Sequence, residues 1–219
     1  MLREAQVTWG EEALHLMPLR EVRSRIVVSD AEPQLFTGTL REELDPSGDH
    51  SDEQIMAAID VASADDVFDG LEDGLNDEVT EKGRGFSGGQ RQRLTLARAV
   101  LTDAEVLVLI EPTSAVDAHT ESRIATALRR TRSTPGHSTV VVTASPLLLA
   151  AMDTVAFLQD GKVQAQGTHR HLLDTVPAYR KVVLRGEGMD GHGAAVSGST
   201  DTRVAVELSQ DNTTPGGEK

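Results

Sequence analysis

Cysteine is absent from the 219 residues, which excludes disulfide staples and thiolate metal sites. Aromatic residues are scarce: one Trp, one Tyr and four Phe leave Leu, Val and Ala to fill whatever core forms. No apolar run approaches the roughly 20 residues that a membrane-spanning helix needs, and the first residues lack the pattern of a secretory signal. Positive charge is also in deficit. Twenty-one Lys and Arg face 35 Asp and Glu, a formal charge of −14. That balance argues against nucleic acid, whose phosphates require cationic contacts, and against a polybasic membrane-surface domain. The chain length and a hydrophobic content of 38% suit one sizeable domain with room for a small lobe.

The chemistry concentrates between Gly85 and Asp117, GFSGGQRQRLTLARAVLTDAEVLVLIEPTSAVD. A Gly-Gly turn opens a helix whose N-terminal end carries unpaired N–H groups and partial positive charge. Ser87, Gly88, Gly89 and Gln90 stand there, a set suited to an anionic group such as phosphate. Leu94, Ala97 and Leu101 share one face of that helix, while Arg91 and Arg98 fall away from it. Val106 to Ile110 is a short apolar run, which predicts a strand buried on both faces of a parallel sheet. Glu111 follows at its carboxyl end, where open α/β sheets bind ligands.

These motifs resemble the ATP-binding-cassette (ABC) family. FSGGQ is similar to the family's signature, VLVLIE to its Walker B strand with the catalytic glutamate, and SAVD to its D-loop ending at Asp117. The resemblance implies an α/β fold: a P-loop NTPase-like (RecA-like) core with an inserted helical subdomain. It also implies ATP and Mg²⁺ at a composite site, where two nucleotide-binding domains face head to tail and each signature closes over ATP held by the other.

Along the chain, residues 1–36 read as strands and turns of a partial antiparallel β-subdomain plus the Q-loop region, with Ser24–Ser29 among its strands. Residues 37–86 read as the helical subdomain, with Ile55, Ala58, Ile59, Ala62, Val67 and Leu71 at helical spacing and Ser51 or Asp52 as cap. Glu78 to Gly83 resembles the family's X-loop, which touches the membrane domain in exporters; the alternative for Glu78 and Glu81 is a solvated acidic loop. Residues 87–185 carry the core: signature helix, Walker B, D-loop, a helix from Thr120 to Arg132 with its arginines outward, and a switch strand at Thr139–Thr143. A hairpin about Asp160-Gly161 follows. Residues 186–219 turn to Gly, Ser, Thr and Asp and cannot bury enough surface to order by themselves.

Several family positions depart from the pattern. Only four lysines occur, Lys82, Lys162, Lys181 and Lys219, and none closes a G-x-x-x-x-G-K-[ST] phosphate loop. The family places that loop upstream of the first residue here, so the chain resembles the later part of a nucleotide-binding domain. Ile110 replaces the Walker B aspartate and offers Mg²⁺ no oxygen. Ser145 stands where the switch histidine belongs, and Ala31 where the Q-loop glutamine belongs. The resemblance therefore implies a degenerate half of a heterodimeric exporter at the inner face of the plasma membrane. Its partners would be a second nucleotide-binding domain and a transmembrane domain. Glu111 would then have little to act on, and the isolated chain would not hydrolyse ATP. The alternative is a non-transport regulatory fragment docking on a complete cassette. Chromosome-maintenance ATPases share a signature and Walker B, but Leu35–Arg41 and Gly167-Thr-His favour exporters, and no long heptad run is present. His169 and His171 lack a third metal ligand.

Overall fold

The structure, a computed structural model, describes residues 7–80 and 83–186. Glu81 and the tail beyond Gly186 lie outside the described residues. The chain begins with a short antiparallel pair, β1 (Thr8–Trp9) and β2 (Glu12–Ala13). A helix that the sequence reading did not contain follows, α1 (Leu19–Arg25). Pro18 starts it, with its ring compatible with a helix entry, and Glu21 pairs with Arg25 one turn on at 3.0 Å. The guanidinium of Arg25 also lies 5.5 Å from the Trp9 ring centroid.

The next strand corrects an expectation. β3 (Ile26–Ser29) belongs to no antiparallel unit; it pairs in parallel with β6 (Val106–Ile110), from Ile26 against Val106 to Ser29 against Leu109. A short β-branched run satisfies either environment, so its pattern could not choose the partner. β6 pairs in turn with β7 (Ser138–Val142), which completes a three-stranded parallel sheet in the order β3-β6-β7. Its carboxyl edge therefore brings together Asp30–Ala31, Glu111 and Thr143–Ser145, each just past its strand, beside Ile110, the last residue of β6.

Between β3 and β6 lies the lobe: β4 (Gly38–Thr39), α2 (Leu40–Leu44), α3 (Asp52–Val61), α4 (Asp65–Asp69) and β5 (Glu78–Val79). Thr39 with Glu42 and Ser51 with Gln54 form capping boxes, so Ser51 rather than Asp52 starts α3. Asp45 closes the turn after α2, accepting bonds from Ser47, Gly48 and both the backbone and ring of His50. Burial opposes its charge, yet those donors hold its carboxyl well below the usual range. Glu78 is exposed on β5, which pairs with β4.

The helix that follows Ser87 is α5 (Gly88–Leu101), and α6 (Ala118–Arg132) connects β6 to β7. α7 (Pro146–Ala151) leads to a hairpin of β8 (Val155–Gln159) and β9 (Lys162–Gly167). Positive φ at both Asp160 (51°) and Gly161 (71°) gives the primed turn that an Asp-Gly pair favours. α8 (His169–Thr175) and α9 (Pro177–Gly186) complete the fold. One buried cluster runs through lobe and sheet, from Leu40, Ile55 and Ile59 through Leu94, Leu107, Leu109, Ile124 and Leu128 to Tyr179.

Two expectations about burial change. β6 is not buried on both faces: Leu107 and Leu109 are buried, but Val106, Val108 and Ile110 are only half-buried. On the neighbouring strands Val140 and Val142 are half-buried and Val28 is 60% exposed, so the same face of the sheet is thinly covered throughout. The arginines of α6 are not all outward either. Arg132 is buried, donating to the Ala104 carbonyl at 2.6 Å, the Thr139 hydroxyl at 3.3 Å and the Asp103 carboxylate at 3.3 Å. Three acceptors make that burial tolerable.

Candidate functional site

The N-terminal end of α5 is built as a donor-rich surface. Ser87 is its N-cap: the hydroxyl accepts from Gln90 N–H at 3.2 Å, and Gln90 Oε1 accepts from Ser87 N–H at 2.8 Å. This capping box consumes the acceptors of both side chains and leaves donors: the Ser87 hydroxyl proton, the Gln90 NH₂, and the N–H groups of Gly88 and Gly89, which have no intrahelical acceptor. The first turn holds no acidic residue, so nothing there neutralises the positive end of the helix. An anion fits this arrangement and a cation does not.

The two glycines differ in role. A Cβ on Gly89 would sit 2.5 Å from the carbonyl oxygen of Ala115, whereas one on Gly88 would meet nothing nearer than the Ala115 methyl at 3.9 Å. Gly89 is therefore required by close approach of the loop after β6. That approach is fastened by Gln92, a residue the sequence reading did not select. Its buried amide donates to the Glu111 carbonyl at 2.9 Å and the Ser114 hydroxyl at 3.0 Å, and accepts from Ala115 N–H at 2.8 Å. The N-terminal part of α5 and the loop from Glu111 to Ala115 thus form one hydrogen-bonded unit. Asp117 closes this loop as the N-cap of α6, accepting from the N–H groups of His119 and Thr120 and from the Thr120 hydroxyl. Those bonds, led by Thr120, lower its carboxyl to about 2.

Glu111 occupies the carboxyl edge of the sheet in a left-handed conformation, φ 45°, which a non-glycine residue adopts only when its surroundings impose it. Its N–H donates to the Val142 carbonyl at 2.8 Å. Thr143 donates its hydroxyl to Glu111 Oε2 at 3.1 Å and accepts from Ser145 N–H at 3.0 Å. Burial raises the Glu111 carboxyl above its ordinary value; bonds from Thr143 and Ala144 work against this, and the charge of Glu121 adds to it. A carboxylate that holds its proton more tightly than usual is a better proton acceptor.

The positions that depart from the family pattern lie around it. Ile110 is half-buried on the thinly covered face of β6 and supplies no ligand oxygen. The Ser145 hydroxyl caps α7 by accepting from Leu148 N–H at 3.4 Å. Ala31 is half-buried, its N–H bonded to Asp30, and Gln34 points its carbonyl to Arg98 at 3.2 Å. Arg98, off the apolar face of α5 as its spacing implied, pairs with the buried carboxylate of Glu43 and lies 5.7 Å from the Phe36 ring. His169 is engaged with the Tyr179 hydroxyl at 2.6 Å rather than paired with His171. Thr143, like Gln92, lies inside a stretch the sequence points to, but its role shows only through partners from other elements.

Comparison with known proteins identifies the chain's relatives. A family profile described as ABC transporter matches residues 2–114. The chain is 33% identical over 180 residues to a multidrug resistance ABC transporter ATP-binding and permease protein of Lactococcus lactis, covering 81% of this chain and 30% of that protein. It is 40% identical over 157 residues to ATP-binding cassette sub-family C member 2 of Rattus norvegicus, covering 71% of this chain and 10% of that protein. Among solved structures, a bacterial Atm1-family ABC exporter with ATP bound superposes with a TM-score of 0.75 at 25% identity, covering 83% of this chain and 32% of that one. The chain thus spans a third or less of the length of these relatives, and its α/β fold is that of the P-loop NTPase-like ABC core. The chain belongs to the ABC transporter family.

Proposed function

We propose that this chain serves an ABC exporter as the degenerate member of a pair of nucleotide-binding domains. Its signature, Ser87 to Gln90, completes an ATP·Mg²⁺ site whose phosphates are held by the partner domain, while its own half-site turns over no ATP. A transmembrane domain is the second partner, and it carries the link to the bilayer, since among the described residues no helix is long and apolar enough to cross a membrane.

The observation that carries the reading is a contrast within one hydrogen-bonded unit. The donor end of α5 keeps every group that an anion needs, whereas Ile110 and Ser145 beside Glu111 offer neither a metal ligand nor a cationic contact. The donor end is also open: Ser87 is exposed, and Gly88, Gly89 and Gln90 are half-buried. Such a surface binds a triphosphate well only when a second surface closes on it. ATP and Mg²⁺ fit the trans role, with Ser87, Gly88, Gly89 and Gln90 as the phosphate-facing groups and Asp117 on the adjoining loop.

The test is Mg²⁺-dependent ATP hydrolysis by the purified chain. No turnover above background is expected, and Ile110→Asp alone does not restore it, because none of the 219 residues closes a phosphate loop and Ser145 and Ala31 remain. Robust turnover by the monomer overturns the degenerate assignment.

A further inference from the structure

The single tyrosine of the chain anchors its last described helix. Tyr179 lies in the first turn of α9 and is 0% exposed; its ring meets Phe157 of β8 edge to face, with centroids 5.6 Å apart. The hydroxyl lies 2.6 Å from Nδ1 of His169, the first residue of α8, and has no other hydrogen-bond partner among the described residues. A buried hydroxyl needs an acceptor for its proton. That requirement assigns the tautomer: Nδ1 accepts from Tyr179, and the neutral imidazole carries its own proton on Nε2. Few other groups hold α9 in place. Among its described side chains only Tyr179 and Val183 are buried, while Arg180 donates to the Leu173 and Asp174 carbonyls at 2.7 and 3.1 Å.

Nothing near His169 is arranged to hold a positive ring. α7 and β8 carry no ionisable side chain, and β9 carries only Lys162, at the end remote from Gly167. Asp153, between α7 and β8, is taken by Arg129 at 3.3 Å. The described side chains of α9 add Arg180 and Lys181, both cationic, beside Tyr179. On α8 itself stand Arg170 and His171, with Asp174 more than a turn further on. No carboxylate pairs with His169 among the described residues. A proton taken from solvent onto Nδ1 would therefore turn this atom into a donor facing the hydroxyl. The Tyr179 oxygen could accept it, but the tyrosine's own proton would then lose its acceptor, and the imidazolium would stay half-buried without a counter-charge.

We propose that His169 and Tyr179 form a proton-operated latch, which holds α9 against α8 and β8 while the imidazole is neutral and loosens the helix when the ring takes up a proton. Burial works in the same direction on both partners. It pushes the Tyr179 phenol up to about 12, so this group stays a donor, and it lowers the His169 imidazole below its ordinary value. A histidine whose folded value lies below its unfolded one contributes stability that is complete above the unfolded value, about 6.5. That contribution is lost as pH falls toward the folded value. The latch is independent of the nucleotide chemistry.

The test is hydrogen–deuterium exchange of residues 177–184 in the full chain, normalised to the intrinsic rate, at about pH 7.5 and about pH 5.5, on either side of the ordinary histidine value. Protection in the parent should fall at least about threefold at the lower pH. His169→Asn places an amide oxygen near the position of Nδ1 and does not titrate, so its protection should be the same at both pH values. His171→Asn should follow the parent. Equal protection of the parent at both pH values overturns the proposal, as does the same fall in His169→Asn, or its loss in His171→Asn. NMR of the parent gives a second measurement that needs no variant: the His169 ring should titrate below the ordinary value, with the amides of α9 shifting through the same midpoint. Titration at or above that value, or at a midpoint that α9 does not share, overturns the latch even if the asparagine variant fails to fold.

Discussion

The side chain of Gln92 holds the loop after β6 through Ala115, accepting that residue's N–H at 2.8 Å while its own NH₂ donates to the Glu111 carbonyl at 2.9 Å. α5 and the loop that carries Glu111 and Asp117 are therefore joined by a buried amide. Gln92→Leu leaves a buried N–H and carbonyl without partners, a loss of about 1–3 kcal/mol each. A fall in melting temperature of about 2–4 °C per kcal/mol is expected for a domain of this size. Exchange at Ala115 should rise with it, and an unchanged melt would show that the loop holds its place by other means.

Gly88 and Gly89 should respond to alanine with opposite signs. Gly89→Ala drives a methyl into the Ala115 carbonyl and should destabilise by about 1–3 kcal/mol. Gly88→Ala meets ordinary contact at 3.9 Å and gains helix propensity, so it should be neutral or stabilising by up to about 1 kcal/mol. Denaturant midpoints of the two variants decide the matter; equal losses would contradict the close approach.

Glu111 sets a pH dependence. Burial raises its folded-state pKa, so its contribution to stability is fully present below the unfolded value and is lost as pH rises through the folded value. Ionised Glu111 is thus a net cost at neutral pH. Glu111→Gln should raise the melting temperature at neutral pH, and the increment should shrink under acid conditions, where both side chains are neutral. A lowered melt at neutral pH would contradict the assignment.

Arg98 and Glu43 join α5 to α2 across the lobe. Glu43 is 3% exposed, and burial raises its carboxyl despite a bond from Phe36 N–H and the Arg98 charge. Removing Arg98 alone strands that carboxylate, so Arg98→Ala should cost about 3–5 kcal/mol. Combining it with Glu43→Leu should recover most of the loss in a double-mutant cycle.

The regular parts of this fold could be read from residues because local pattern decides them. The helix after FSGGQ has its apolar face at Leu94, Ala97 and Leu101, and the Asp-Gly turn specifies the β8–β9 hairpin. What escaped depends on partners distant in sequence. Ile26–Ser29 carries the same β-branched signal whether it joins a parallel or an antiparallel neighbour, and Leu19–Arg25 is too short for periodicity to register. Arg132 reads as outward, and the pairing of Arg98 goes unread, because their acceptors, Ala104 and Glu43, come from other elements. Gln92 reads as a surface residue of an amphipathic helix until the loop from Glu111 to Ala115 is folded over it. At the site, motif reading selected Ser87 to Gln90 and Glu111, but the Thr143 link between Glu111 and Ser145 exists only in three dimensions.

The most direct measurement is steady-state ATP hydrolysis by the purified chain across a wide concentration range, with Mg²⁺ and with chelator. A half-site holding Ile110 and Ser145 beside Glu111 predicts a rate at background under every condition, including concentrations that favour self-association. Mg²⁺-dependent turnover rising with the square of chain concentration would mean that two copies build a working site between them, and would contradict the account.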